Sequence, residues 1–169
     1  MKTKLTSLNE LLAYQLEGMY DAEKKLQQDL PVCTEGIKLD ALKQEVIKYG
    51  ELSTDKRTKL KRMFSYLLVE RFGRKNKVMD SLLKETQKML SCASTDHIRD
   101  AVTLACIQSI NHYKIANYNT ALAFAIELNL ETVADLLHEI LVWEKETAAA
   151  LTKIAFEELN KKESSLLPS

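Results

Sequence analysis

Two glutamates interrupt apolar seams that are otherwise continuous. In the first long amphipathic pattern the seam runs Leu8, Leu12, Leu16, Met19, Glu23, Leu26 and Leu30, in alternating steps of three and four. In the last it runs Val133, Leu137, Ile140, Glu144, Thr147, Leu151 and Ile154. An unpaired buried carboxylate is costly, so Glu23 and Glu144 each demand a cation, a hydrogen-bond donor or a proton. The alternative is a glutamate at the seam edge that reaches solvent. Carboxylates converging mid-bundle from different helices are the material of a dimetal centre, which takes one Glu from each of two helices and Glu-x-x-His from the other two. No Glu-x-x-His occurs in the second or fourth long pattern. The second instead presents Tyr49, Ser53 and Lys56 at its centre, and the third offers Asn111-His112-Tyr113-Lys114, one imidazole with no carboxylate beside it. His112 is a packing histidine before it is a ligand. His138 and Glu139 are adjacent and cannot share a face, and His97 beside Asp96 reads as a solvated residue at a helix start.

Long helices are needed to position such groups. Ser7-Leu8-Asn9-Glu10 has the form of a capping box, and Pro31 predicts the end of the first helix at or just before its ring. The second begins near Lys38 with the seam Leu39, Leu42, Val46, Tyr49, Ser53, Lys56, Leu60, Met63 and Leu67. A charged loop follows around Phe72–Lys77, then a shorter amphipathic stretch carrying Val78, Met79, Leu82, Leu83 and Leu90. The third long helix starts after Ser94-Thr95-Asp96. Its apolar residues, among them Ile98, Val102, Ala105, Ile110, Ala116, Ala123 and Ile126, spread so widely that several neighbours should enclose it. Asn129 marks a turn into the fourth. Counting outward from the turns sets Glu23 level with Val46 and Tyr49, and Glu144 level with Asn111 to Ile115. At ~1.5 Å rise per residue both levels fall in the middle third of one bundle. Short first and last connections around a long middle one give two antiparallel hairpins. The expectation is an all-α fold, a ferritin-like antiparallel four-helix bundle with an extra short helix in the connection between the second and third long helices. A single domain is expected over residues 1–160, with a frayed tail over 161–169.

Composition narrows the function classes. The chain has 169 residues with only four Gly and two Pro, against a turn-rich β-fold and against long disorder. With 24 basic and 24 acidic residues, overall charge does not call for nucleic acid or an anionic membrane. The N-terminal residues lack the apolar core of a signal peptide, and no apolar run approaches the ~18 residues of a spanning helix. Cys33, Cys92 and Cys106 include no CxxC and read as buried thiols of a reducing, cytoplasmic setting. Nucleotide-binding fingerprints and serine-hydrolase motifs are absent from the sequence. A basic run (Lys56, Arg57, Lys59, Lys61, Arg62, then Arg71, Arg74, Lys75, Lys77) lacks aromatic interleaving and reads as a solvated face.

Several runs resemble the YciF-type stress-protein family of ferritin-like proteins: Tyr20-Asp21-Ala22-Glu23-Lys24-Lys25-Leu26 with Leu30-Pro31; Ile98-Arg99-Asp100-Ala101; His112 to Tyr118; Glu144-Lys145-Glu146-Thr147 and Leu151-Thr152. The resemblance covers about residues 5–160. It implies a bundle with an extra short helix, often dimeric and associated with bacterial stress. It also implies that Glu23 and Glu144 match glutamates of that family's metal site and Glu51 a further acidic position. The departures are extensive. Tyr49 stands where the family commonly has His, Leu52 and Lys56 where it has Glu or Gln and His or Gln, and Gly18 replaces an Asp. Asn111 and Lys114 replace the two glutamates of a Glu-His-Tyr-Glu pattern. Glu23, Glu144, Glu51 and His112 are thus candidate, vestigial metal ligands, for iron or manganese if the site survives and for no cofactor otherwise. An ammonium from Lys114, with Lys56 second, is a physical substitute for that cation; the alternative is that both lysines snorkel to solvent. The leading expectation is a non-catalytic, structural or partner-binding stress-related protein with a degenerate dimetal site. An iron- or manganese-binding oxidoreductase and a nucleic-acid-binding module are the alternatives. The two-sided apolar third helix and the Val78–Leu90 stretch predict a homodimer.

Overall fold

Ser7 opens the first helix, α1 (Leu8–Thr34), through a reciprocal capping box: its Oγ accepts from Glu10 N, and the Glu10 carboxylate accepts from Ser7 N, both at 3.2 Å. The computed structural model describes residues 4–68, 72–159 and 161, and among these the other helices are α2 (Asp40–Met63), α3 (Lys77–Cys92), α4 (Asp96–Glu127) and α5 (Glu131–Ile154). Among the described residues none lies in a strand, and no helix is long and apolar enough to cross a membrane.

Pro31 does not end α1. The helix continues through Thr34, whose hydroxyl donates to the Pro31 carbonyl at 2.7 Å. The ring sits on an exposed face near the helix end, where one missing donor is tolerated. α2 starts at Asp40 rather than near Lys38 because its cap is tertiary. Asp100, in the first turns of α4, accepts from Lys38 N at 3.0 Å and Leu39 N at 2.8 Å. α2 also ends earlier than the seam suggests, at Met63, where a 3₁₀ turn (Phe64–Tyr66) still delivers Leu67 to the core. The stretch before α3 is fastened to α1. Glu17 accepts from Phe72 N and Arg74 N, each at 3.0 Å, while Asp21 accepts from Asn76 N at 2.8 Å. Arg74 lies so close that a Cβ on Gly18 would meet its guanidinium at 2.9 Å. Asn76 caps α3, and Thr95 caps α4. Asn129, with φ 55, supplies the left-handed residue that turns α4 into α5.

The contacts fix the topology. α1 pairs with α2 and α4 with α5, each as an antiparallel hairpin. Gln15 bonds Asn117 and Cys33 lines a groove with Arg99, so α1 and α4 run antiparallel; Lys59 pairs with Glu139 and Tyr49 with Glu144, so α2 and α5 do too. α2 and α4 therefore point the same way, which requires the long crossover carrying α3 along the outside of α4. The four long helices enclose one apolar core that includes Leu12, Leu16, Met19, Leu26, Leu42, Leu60, Ile110, Leu137 and Leu151.

Two further expectations change. α4 is not enclosed: Ile98 and Ile126 are 44% and 61% exposed and Ala105, Ala116 and Ala123 are exposed, because α1, α3 and α5 leave one face open. Between Asp100 and Ile126 the Asp, Glu, Lys and Arg residues of α4 are Asp100 and Lys114, both buried, so that open face carries none of these four types. Cys92, expected to be buried, is exposed as the last residue of α3, whereas Cys33 and Cys106 are buried. Of the tail expected over 161–169, residues 162–169 lie outside the described residues, as does Arg71 of the basic run.

Candidate functional site

Four helices send polar side chains to one buried level. α1 contributes Glu23. α2 contributes Tyr49, Ser53 and Lys56, and α4 contributes Asn111, Lys114 and Tyr118, each set in steps of three and four that keep it on one face. α5 contributes Glu144 and Thr147. Thr147 is 1% exposed and the others 0%.

The Lys114 ammonium is central. Its Nζ lies 2.8 Å from Glu23 Oε1, donates to Glu23 Oε2 at 3.0 Å, and lies 2.7 Å from Glu144 Oε1. Lys56 Nζ reaches the same Glu144 oxygen at 2.7 Å. These contacts to Oε1 are ion pairs without hydrogen-bond alignment. Glu144 Oε2 instead accepts from Asn111 Nδ2 at 2.7 Å and from the Tyr49 hydroxyl at 3.2 Å. The Tyr118 hydroxyl donates to Glu23 Oε1 at 2.6 Å. Both ammonium groups lie over the Tyr49 ring, 4.4 Å (Lys114) and 4.8 Å (Lys56) from its centre, where the ring face adds a cation–π attraction.

Electrostatics distinguishes the two lysines. Burial opposes the charged form of Lys114, but Glu144 and Glu23 outweigh it and hold the ammonium well above its usual range. For Lys56 burial and the Lys114 charge prevail over the two glutamates, and its proton is held less tightly than usual. Burial also opposes ionisation of Glu144, yet Lys114 and Lys56 together keep it below its ordinary value. Burial, with the nearby glutamate charges, pushes both the Tyr49 and Tyr118 hydroxyls well up, so each stays a donor. Two lysines and two glutamates give this level a formal charge of zero.

The other candidates lie elsewhere. His112 is exposed: two residues before Lys114, it is turned about 200° away on the helix. Glu51, two residues after Tyr49, is exposed for the same reason, on the rim of a surface groove of about 370 Å³ floored by Leu30, Pro31, Val46 and Gly50. Leu52 is half-buried; His97 is half-buried and His138 exposed. The basic run is not wholly a solvated face: Lys56 is buried at the centre on Glu144, and Arg57, Lys59, Arg74 and Lys75 bond to Gln27, Glu139, the Tyr14 carbonyl and Asp21. Sequence reasoning did not single out Tyr118, although its position four residues after Lys114 and seven after Asn111 is the available signal.

A dimetal centre does not fit these residues. Such a centre needs the space between its carboxylates, and here Lys114 Nζ occupies the space between Glu23 and Glu144. Neither a third carboxylate nor an imidazole joins them, and no group of three or more His, Cys, Asp or Glu among the described residues is placed to hold a metal.

Residues 7–164 match the profile of a family described as a domain of unknown function, DUF892. The Escherichia coli protein YciF is 27% identical over 161 residues, covering 94% of this chain and 96% of that protein. The crystal structure of the E. coli stress protein YciF superposes with a TM-score of 0.87 at 26% identity, over 93% of this chain and 99% of that one. YcfI of Rhodopseudomonas palustris, named as a candidate structural protein, gives 0.85 at 26% identity, over 90% and 97%. A Xanthomonas campestris protein at 18% identity shares the fold, with a TM-score of 0.71 over 95% of this chain and 100% of that one.

Proposed function

Because the chain belongs to the DUF892 family, we propose that this YciF-like protein is a ferritin-like, cytoplasmic, non-catalytic structural or partner-binding protein that works as a homodimer without a metal cofactor. The names of its relatives, a stress protein and a candidate structural protein, support a role in stress physiology exerted through structure. One observation carries the reading. The titratable groups gathered at the centre of the bundle, Glu23, Glu144, Lys56 and Lys114, pair with one another. An enzyme instead needs such groups facing a cleft that admits substrate. The open face of α4, which presents no Asp, Glu, Lys or Arg between residues 101 and 126 and has the exposed Met89 of α3 beside Ile98, supports assembly with a second copy, since repulsion between carboxylates or ammonium groups is absent from it.

The test is metal analysis together with light scattering on untagged protein from cells supplemented with iron and manganese. The expected result is metal far below one ion per chain and the mass of two chains at micromolar concentration. Near-stoichiometric iron or manganese overturns the non-metal reading, and a monomeric mass overturns the dimer.

A further inference from the structure

The charges at the centre of the bundle are arranged as a divalent ion's would be. Glu23 from α1 and Glu144 from α5 approach a single nitrogen, Lys114 Nζ, within 2.8 Å and 2.7 Å. Lys56 adds a second ammonium on Glu144. Two lysines supply the charge that one divalent cation would supply to two carboxylates. The surrounding donors are mainly oxygens, the class that suits a hard cation. Two buried oxygens at this level, Asn111 Oδ1 and Thr147 Oγ1, have no hydrogen-bond partner. Deep burial leaves the two carboxylates little water as an alternative source of stabilisation.

We propose that Lys114 and Lys56 are tethered counter-ions that hold the bundle closed and exclude divalent cations from a site that Glu23 and Glu144 otherwise form. The proposal rests on the metal-free reading above and deepens it: the chain refuses metal because two of its own side chains occupy the place. Tethering makes this substitution effective. A lysine covalently held in the bundle has a fixed effective concentration at the carboxylates, whereas occupancy by a free ion depends on how much of that ion is present. Removing both side chains back to Cβ removes two positive charges and opens space at the carboxylates. The vacated site then has a net charge of minus two and room for one ion with water.

The test uses the full chain, manganous chloride at about 1 mM as probe, and two readouts, melting temperature and manganese retained in equilibrium dialysis against that probe. The variants are Lys56→Ala/Lys114→Ala, which vacates the site, and Lys56→Met/Lys114→Met, which removes the charges and keeps the volume filled. The wild type should neither retain manganese nor change its melting temperature. The double alanine variant should melt lower without metal, retain close to one ion per chain, and gain about 5–10 °C at a hundredfold excess over Kd. The double methionine variant should melt lower and gain nothing. If the double alanine variant is unfolded without metal, refolding in manganese is the readout: recovered helical signal supports the proposal and its absence overturns it. Wild-type protein that loads manganese overturns both this proposal and the metal-free function. A metal-free wild type with a folded but unresponsive double alanine variant overturns this proposal alone.

Discussion

Asp100 of α4 caps a helix that is not its own: its carboxylate accepts the backbone amides of Lys38 and Leu39 at 3.0 Å and 2.8 Å, at the entrance to α2. Leu39, the N-cap residue, makes no side-chain bond to the first turn, so the entrance to α2 is held by a carboxylate of the other hairpin. Asp100→Ala should therefore lower stability by about 2 kcal/mol, the upper range for a lost N-cap, because the amides are partly enclosed. Urea denaturation should show a lower midpoint with an unchanged slope. A midpoint equal to that of wild type would show that the cap is dispensable.

The two buried tyrosines should differ in consequence. Tyr118→Phe removes a 2.6 Å donor from Glu23, whereas Tyr49→Phe removes a 3.2 Å donor from Glu144, which keeps Asn111 and both lysines. The loss for Tyr118→Phe should be about 1–3 kcal/mol and that for Tyr49→Phe smaller. Paired thermal melts under identical conditions check the order, and the reverse order would refute it.

Charge removal at Lys114 should be severe and at a surface lysine negligible. Lys114→Met leaves Glu23 and Glu144 with one ammonium between them and should cost about 3–5 kcal/mol. Lys153, with its side chain 72% exposed, is the control, and Lys153→Met should stay within about 0.5 kcal/mol. Equal midpoints for the two variants in urea would contradict the central placement of Lys114.

Acid should release the segment before α3. Burial works to raise the Asp21 carboxyl, but Lys25, the Asn76 amide and Lys75 outweigh it, so its folded value lies below the ordinary aspartate value. A carboxyl depressed on folding contributes stability that is complete above the unfolded value and disappears as pH falls through the folded one. Hydrogen exchange at the Asn76 amide, corrected for intrinsic rates, should therefore lose protection as the pH drops below the usual aspartate range. Asp21→Asn should lack this dependence. Protection that falls equally in both proteins would assign the effect to another group.

The bundle was largely legible because seams, caps and turn residues are local signals. Ser7 and Glu10 lie three residues apart, Asn129 stands alone between two periodic runs, and the glutamates at 23 and 144 betray themselves by breaking apolar seams. The Asp100 cap was not legible, since it acts on residues 61 and 62 positions away. Pro31 misled because a single missing donor near a helix end matters less than continued packing of Leu30 and Cys33. At the site, spacing shows which residues share a face but not what lies opposite. Tyr118 bonds Glu23 across 95 positions of sequence, a pairing that no periodicity encodes.

The distribution of the four charges over the two hairpins bears on how the bundle comes together. The α1–α2 hairpin carries Glu23 and Lys56, while the α4–α5 hairpin carries Lys114 and Glu144. Each half is therefore neutral at this level before the halves meet, and neither repels itself as a nascent unit. These ions are enclosed only with both halves together, so their desolvation belongs to closure of the bundle rather than to either hairpin alone. The same neutrality makes the halves interchangeable between chains. The connector through residues 64–95 is long, and a hairpin from a second molecule offers the identical acid and base, so the match governs closure but not whose hairpin closes it.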